Sequence, residues 1–227
     1  VDITTVDQAV DAFYRLTGTE SDDPALVAHG EAVDDVVYTF LTMGCRDAQR
    51  WMLKMGYGGW RQRSAALTFS GTDAADGGRY VALPTDFLRA FGNNRVSPLV
   101  EANGDRWGTL IDDDDGTMRG NAIYVRGEQL WLGRQATPPT TLYLDYHYRH
   151  PVWNASTTID FPLDARYLIV AEAANLAMAE NWLPGDNAME RKIEVALMRW
   201  RERVRGIARQ TKQPRQFAKA ARFGNHW

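Results

Sequence analysis

Apolar residues recur at about 3.6-residue intervals near both ends of the chain and at every second residue in between, so the hydrophobic period changes twice. A chain with that pattern has to run helix, then strand, then helix. The first helix is announced by Thr5-Val6-Asp7-Gln8, which has the T-x-x-Q form of a capping box, with Val6, Val10 and Phe13 at helical spacing and Gly18 as a stop, giving residues 5–17. Asp23 and Pro24 then read as N-cap and first-turn residues. They open a second helix, predicted over 24–56, whose stripe is Val33, Val37, Phe40, Leu41, Gly44, Ala48, Trp51, Met52 and Met55. Gly56-Tyr57-Gly58-Gly59 ends it; this run follows a helix and lacks the Lys-Ser/Thr of a phosphate-binding loop, so it reads as a C-cap and turn.

Residues 60–151 read as β. Ala65 to Phe69 is β-rich, a Gly/Asp-rich turn covers 71–78, and Arg79 to Leu83 leads into Pro84-Thr85-Asp86-Phe87. Ala122 to Val125 and Gln129 to Leu132, with Gly127 between, form the best hairpin candidate. Leu142, Leu144, Tyr146 and Tyr148 alternate with Tyr143, Asp145, His147 and Arg149 in a strand that stops at Pro151. Helix returns over 163–182, where six alanines between 165 and 179 allow neighbouring helices to come close, and again over 187–209, with Met189, Ile193, Ala196, Leu197, Trp200, Val204 and Ile207 on one stripe. The fold class expected from this order is α+β: a helical bundle built from the N- and C-terminal helices, a β-rich insertion over 60–151, and an extended C-terminal arm. Residues 1–210 are expected to form a single domain and 211–227 the arm.

Composition removes several function classes. With 44% hydrophobic residues and eight Trp among 227 residues the chain can build a packed core, and no stretch approaches the roughly 18 apolar residues of a membrane span. The N-terminus lacks the layout of a signal peptide, so the expectation is a soluble protein made in a cytoplasm. Cys45, the only cysteine, rules out an intrachain disulfide and lies in an apolar stripe, where a buried inert thiol is expected. His147 and His150 point to opposite faces if both are in a strand, which disfavours a zinc site. Asp112-Asp113-Asp114-Asp115-Gly116 lacks the alternating ligands and terminal Glu of an EF-hand and reads as a solvated loop. No nucleophile elbow, P-loop, dinucleotide fingerprint or H-E-x-x-H occurs. Neither a catalytic residue, nor a cofactor, nor a metal is called for, and a non-enzymatic role is expected.

Charge gives the positive signal. The last 37 residues hold eleven Lys/Arg against two Glu, a net of +9, which leaves −12 for the first 190 out of a total of −3. From Arg191 to Arg205 the arginines flank an amphipathic stripe. Beyond Thr211, Arg215, Phe217, Lys219, Arg222, Phe223 and Trp227 keep charge and aromatics but lose periodicity, the character of a segment that orders on a partner. Nucleic-acid binding through the basic helix and arm is the alternative.

The chain resembles the head-to-tail adaptor (connector) proteins of tailed bacteriophages, the tail-tubular-A-like family. The resemblance rests on the order of parts over most of the chain. Those parts are Tyr80-Val81-Ala82-Leu83-Pro84-Thr85-Asp86-Phe87-Leu88-Arg89, similar to an "LPxDFxR" turn after a strand, the hairpin from Ile123 to Leu132, the strand Leu142-Tyr143-Leu144-Asp145-Tyr146-His147-Tyr148-Arg149, a proline-led alanine-rich helix from Phe161-Pro162 to Trp182, and a terminal helix with a tail. It implies a structural virion protein at the head–tail interface: a homo-oligomeric ring, a dodecamer in the family, under the portal protein. Such a ring contacts a tail tube or nozzle protein and passes double-stranded DNA without sequence-specific binding. The arm, with Arg215, Phe217, Lys219, Arg222, Phe223 and Trp227, would grip the portal. Asp112 to Asp115 and the 71–78 turn have no role in that picture.

Overall fold

The computed structural model describes residues 2–19, 33–72, 78–91, 97–111, 121–133, 136–139, 141–183 and 186–211. The arm beyond 211, the four aspartates at 112–115, the Asp23-Pro24 start of the second helix and most of the 71–78 turn lie outside them. The chain divides into two compact units, one made of Val1–Gly58 with His150–Trp227 and the other of Gly59–Arg149.

In the first unit α1 spans Val6–Thr17, α2 Val33–Lys54, a 3-10 turn Leu163–Ala165, α3 Arg166–Ala179 and α4 Asn187–Thr211. The capping box forms as the sequence predicts. The Gln8 amide donates to Thr5 Oγ1, the Thr5 amide donates to Gln8 Oε1, and Gly18 closes the helix at φ 71°, its N–H donating to the Tyr14 carbonyl. α3 sets the arrangement. Leu168, Ile169, Val170, Ala171, Glu172, Ala173, Ala174 and Ala177 are all buried, so it has no broad polar face and has to be enclosed. α1, α2 and α4 each pack against it. Gly44 of α2 meets it at backbone range: a Cβ placed there would stand 2.5 Å from the Ala173 nitrogen and 2.6 Å from the Ile169 carbonyl oxygen. Arg166 pins the start of α3, its guanidinium donating to the carbonyls of Ile3, Ile159 and Phe161 at 2.8–3.0 Å. Cys45 is buried, and burial pushes its thiol up to about 12 despite a hydrogen bond with Trp153 that favours the thiolate.

The second unit is built of ten strands: β1 Arg61–Arg63, β2 Gly71–Thr72, β3 Arg79–Ala82, β4 Phe87–Ala90, β5 Leu99–Glu101, β6 Arg106–Trp107, β7 Thr109–Leu110, β8 Ala122–Arg126, β9 Gln129–Leu132 and β10 Leu142–Tyr148. One five-stranded sheet has the order β1-β10-β5-β6, with β4 also on β10; the other has the order β2-β3-β9-β8-β7. The expected hairpin is β8–β9, closed by the Arg126–Gln129 pair with Gly127 at φ 60°, in the left-handed region that glycine tolerates. Leu99, Trp107, Leu142, Leu144 and Tyr146 from the first sheet and Ile123, Leu130 and Leu132 from the second form one core.

The expected helical bundle carrying a β insertion is therefore not the architecture. Among the described residues ten strands in two sheets stand against four α-helices, the sheets hold a core of their own, and no helical-bundle core is formed. The physical reason is the all-round burial of α3. In a bundle each helix turns one stripe to a shared seam, whereas here one helix is enclosed and the other three pack chiefly on it. The periodicities placed the described helices, the β8–β9 hairpin and β10, but Ala65 to Phe69, read as β-rich, forms only an isolated bridge from Leu67 to Leu142, and they carried no information on which elements would be central.

The Gly44 contact gives a test against helix propensity. Gly44→Ala gains up to about 1 kcal/mol of propensity in a helix interior, yet places a methyl against backbone that cannot swing aside, an overpacking cost of roughly 1–3 kcal/mol. Urea unfolding should show the alanine variant less stable than the parent and Gly44→Val less stable again.

Candidate functional site

The predicted arm residues Arg215, Phe217, Lys219, Arg222, Phe223 and Trp227 lie outside the described residues. The helix that leads to them is α4. Its buried stripe is Ile193, Leu197 and Val204, close to the periodicity read from sequence. Asp164 pairs with Arg203 and Tyr167 stacks on Trp200, at 4.9 Å between ring centroids and 11° between planes; this order of partners runs α4 antiparallel to α3. Several cations of α4 bind inside their own unit. Arg201 grips the buried Glu172 with two bonds, Nε to Oε1 at 2.9 Å and Nη2 to Oε2 at 3.0 Å. Lys192 donates to the Arg15 carbonyl at 2.8 Å, Arg205 pairs with Glu202, and Arg199 and Arg203 lie over the Trp200 ring. Burial pushes the Glu172 carboxyl up, and the hydrogen bond and charge of Arg201 offset this only in part. On the outer face Val195 and Met198 stand 54% and 59% exposed, one helical turn apart.

A second constellation belongs to the β unit. Strand β10 turns Leu142, Leu144 and Tyr146 to the core and Tyr143, Asp145 and His147 to the opposite face. Register places cations across from that face. Arg61 pairs with His147 and Arg63 with Asp145 from β1; Arg89 pairs with His147 from β4; Arg106 of β6 pairs with Val100, itself opposite Tyr143. The Asp145 side chain is 2% exposed, yet three guanidiniums reach it. Arg61 bonds to Oδ2, Arg106 Nη2 lies 2.8 Å from the same oxygen, and Arg63 Nε donates to Oδ1 at 2.9 Å. Arg106 Nη1 also donates to the Ser97 carbonyl at 2.8 Å. The Arg61 guanidinium lies 3.9 Å from the centre of the Phe91 ring and that of Arg106 5.9 Å from it.

Burial alone would push the Asp145 carboxyl up, but the hydrogen bonds from Arg63 and Arg61 and the charges of Arg61 and Arg106 together outweigh it, and it lies below the ordinary aspartate value. His147 is lowered as well, which for an imidazole favours the neutral form. Its burial and the charges of Arg89 and Arg61 keep it neutral, although its Nδ1–H donates to the Gly59 carbonyl at 3.0 Å. His150, in the first unit, packs at a tilt against the Phe161 ring and is lowered by burial to about 4. The two histidines thus serve different units. Among the described residues no group of three His, Cys, Asp or Glu side chains could hold a metal, and no helix is long and apolar enough to cross a membrane.

Sequence reading missed the arginine group because its members are scattered from 61 to 106 while their carboxylate is at 145. One signal was available. An aspartate amid seven residues of alternating strand, flanked by two buried neighbours, has to find cations somewhere in the chain. The turn Pro84-Thr85-Asp86-Phe87 was found, and its aspartate has a structural part: Asp86 Oδ1 accepts the Tyr146 hydroxyl at 2.8 Å, and burial with this carboxylate raises that phenol to about 12. No protein-family model matches the chain, and no curated protein matches it.

Two outcomes follow from these charges. Arg201→Ala should destabilise the chain by about 2–3 kcal/mol, below the range for fully buried pairs because the guanidinium keeps 42% exposure, whereas the exposed Arg205→Ala should cost under about 1 kcal/mol. For His150, the unfolded chain takes up a proton near pH 6.5 and the folded one only near 4, so its contribution is complete above 6.5 and is lost as pH falls towards 4. Stability should drop by up to about 1.4 kcal/mol per pH unit across that window, and the lowered His147 adds a drop of the same sign. Urea midpoints at pH 7, 6 and 5 measure it, and His150→Gln should flatten the slope.

Proposed function

We propose that this chain is a structural, non-enzymatic virion protein: the head-to-tail adaptor of a tailed bacteriophage. In this reading it is made in the host cytoplasm and forms a homo-oligomeric ring, dodecameric as in the family it resembles, at the head–tail interface. The ring joins the portal protein to a tail tube or nozzle protein and passes double-stranded DNA without reading its sequence. The observation that carries the reading is the charge division, −12 over the first 190 residues against +9 over the last 37, combined with an amphipathic α4 that leads directly into the cationic aromatic segment 212–227. Further support comes from the order of parts on which the resemblance rests, from the Pro84-Thr85-Asp86-Phe87 turn to α4. The exposed Val195 and Met198 on α4 suit a helix that meets another subunit or the portal. A negative body suits a DNA conduit, since like charge lets a duplex slide instead of sticking.

The test is mass measurement in solution with and without portal rings. The chain is expected to be monomeric or weakly associated alone and to form a ring on the portal. Deleting 212–227 should leave the unfolding midpoint nearly unchanged and abolish attachment, and replacing Phe217, Phe223 and Trp227 together by Ala should reproduce most of that loss. Truncated protein that occupies portals normally would sink this assignment of the arm. Salt-sensitive binding to any duplex, with no portal requirement, would favour the nucleic-acid-binding alternative.

A further inference from the structure

The arginine group of the β unit is larger than its structural task requires. A buried carboxylate is satisfied by one guanidinium in a two-pronged pair, as Glu172 is by Arg201. Asp145 instead collects three, each giving it a single nitrogen: Arg61 and Arg106 share Oδ2, and Arg63 takes Oδ1. Each guanidinium carries five N–H donors in a planar fork, so most of this donor capacity is turned elsewhere. The side chains stay accessible, at 35% exposure for Arg61, 50% for Arg63 and 33% for Arg106. Arg89, exposed and across from His147, adds a fourth positive charge to the same face.

Four guanidiniums against one carboxylate leave a surplus of three positive charges, and His147, held neutral by burial and by Arg89 and Arg61, adds none. Sharing one oxygen brings the Arg61 and Arg106 guanidiniums together over the Phe91 ring, against their mutual repulsion. Asp145 and Phe91 fix them in place, so a second anion would meet donors that are already ordered and would relieve the repulsion.

We propose that this face of the β10 sheet binds a phosphate oxyanion, held by Arg61, Arg63 and Arg106 with Arg89 at its margin and prearranged by Asp145. A surplus above one charge and donors from three strands suit a multiply charged tetrahedral group better than a second carboxylate, whose two oxygens and single charge are what Asp145 already supplies. The phosphate comes either free in solution or from the backbone of a nucleic acid. The site does not depend on whether the chain joins a portal to a tail.

Calorimetric titration of the full chain with inorganic phosphate and pyrophosphate, at constant ionic strength in sodium chloride, tests this. Saturable binding is expected, tighter for pyrophosphate, with a raised unfolding midpoint. Arg63→Gln should weaken phosphate affinity by about tenfold with an unchanged far-UV spectrum. Arg89→Gln, which touches none of the bonds to Asp145, should weaken it by a smaller factor and guards against a variant that simply fails to fold. Titration with a short duplex separates the sources: weakened duplex binding in both variants assigns the site to the nucleic-acid backbone, and loss of phosphate binding with duplex binding intact assigns it to free phosphate. Deleting 212–227 should leave phosphate binding as it was. No saturable binding by the parent chain, parental affinity in both variants, equal binding of acetate, or loss of phosphate binding on that deletion would overturn the proposal.

Discussion

A carboxylate cannot be taken out of water without cations to meet it, and the β unit is organised around that requirement. Asp145 sits in the middle of β10 at 2% exposure; β1, which pairs with β10, brings Arg61 and Arg63 to it, and β6, one strand further out across β5, brings Arg106. The same strand turns leucines and Tyr146 to the core on its other side, so one seven-residue segment fixes both the hydrophobic and the ionic layer. A one-residue slip of register would put Asp145 in the core and the leucines in the charge cluster. The arginines therefore specify alignment as well as neutralising charge.

The helical unit answers to a different constraint. An alanine-rich helix buried all round needs partners whose backbones come close, and Gly44 lets α2 do so. α4 then covers a remaining side with an amphipathic stripe, and Arg201 reaches from that stripe to neutralise Glu172. The basic character of the last 37 residues thus has more than one origin. Part of it is internal pairing within α4, visible in Arg201, Arg203 and Arg205; another part, carried by residues beyond Thr211, belongs to the proposed arm.

Local chemistry was legible in the sequence to the extent that its cause was local. The Thr5–Gln8 capping box, the Gly127 hairpin, the period-2 strand at 142–148 and the amphipathic terminal helix each depend on residues a few positions apart, and each was recognised. Cys45 was read correctly from its stripe. What was not legible depends on long-range pairing. The helical-bundle reading failed because periodicity identifies an apolar stripe but not whether a helix such as α3 will be enclosed on every side. The arginine group escaped notice because Arg61 and Asp145 are brought together only by the order of strands in the sheet. The arm residues and the four aspartates at 112–115 were conspicuous in sequence and lie outside the described structure.

The division of the chain has a consequence for the order of events during synthesis. α1 and α2 are made first, yet the helix that covers their apolar faces begins at Arg166, so more than a hundred residues must follow before those faces find their partner. The intervening Gly59–Arg149 segment carries its whole core within itself and can close as soon as β10 is made. The strands would then mature ahead of helices that precede them in the chain. By bringing the ends of that segment together, the early β fold would shorten the loop that α2 and α3 have to close when they meet.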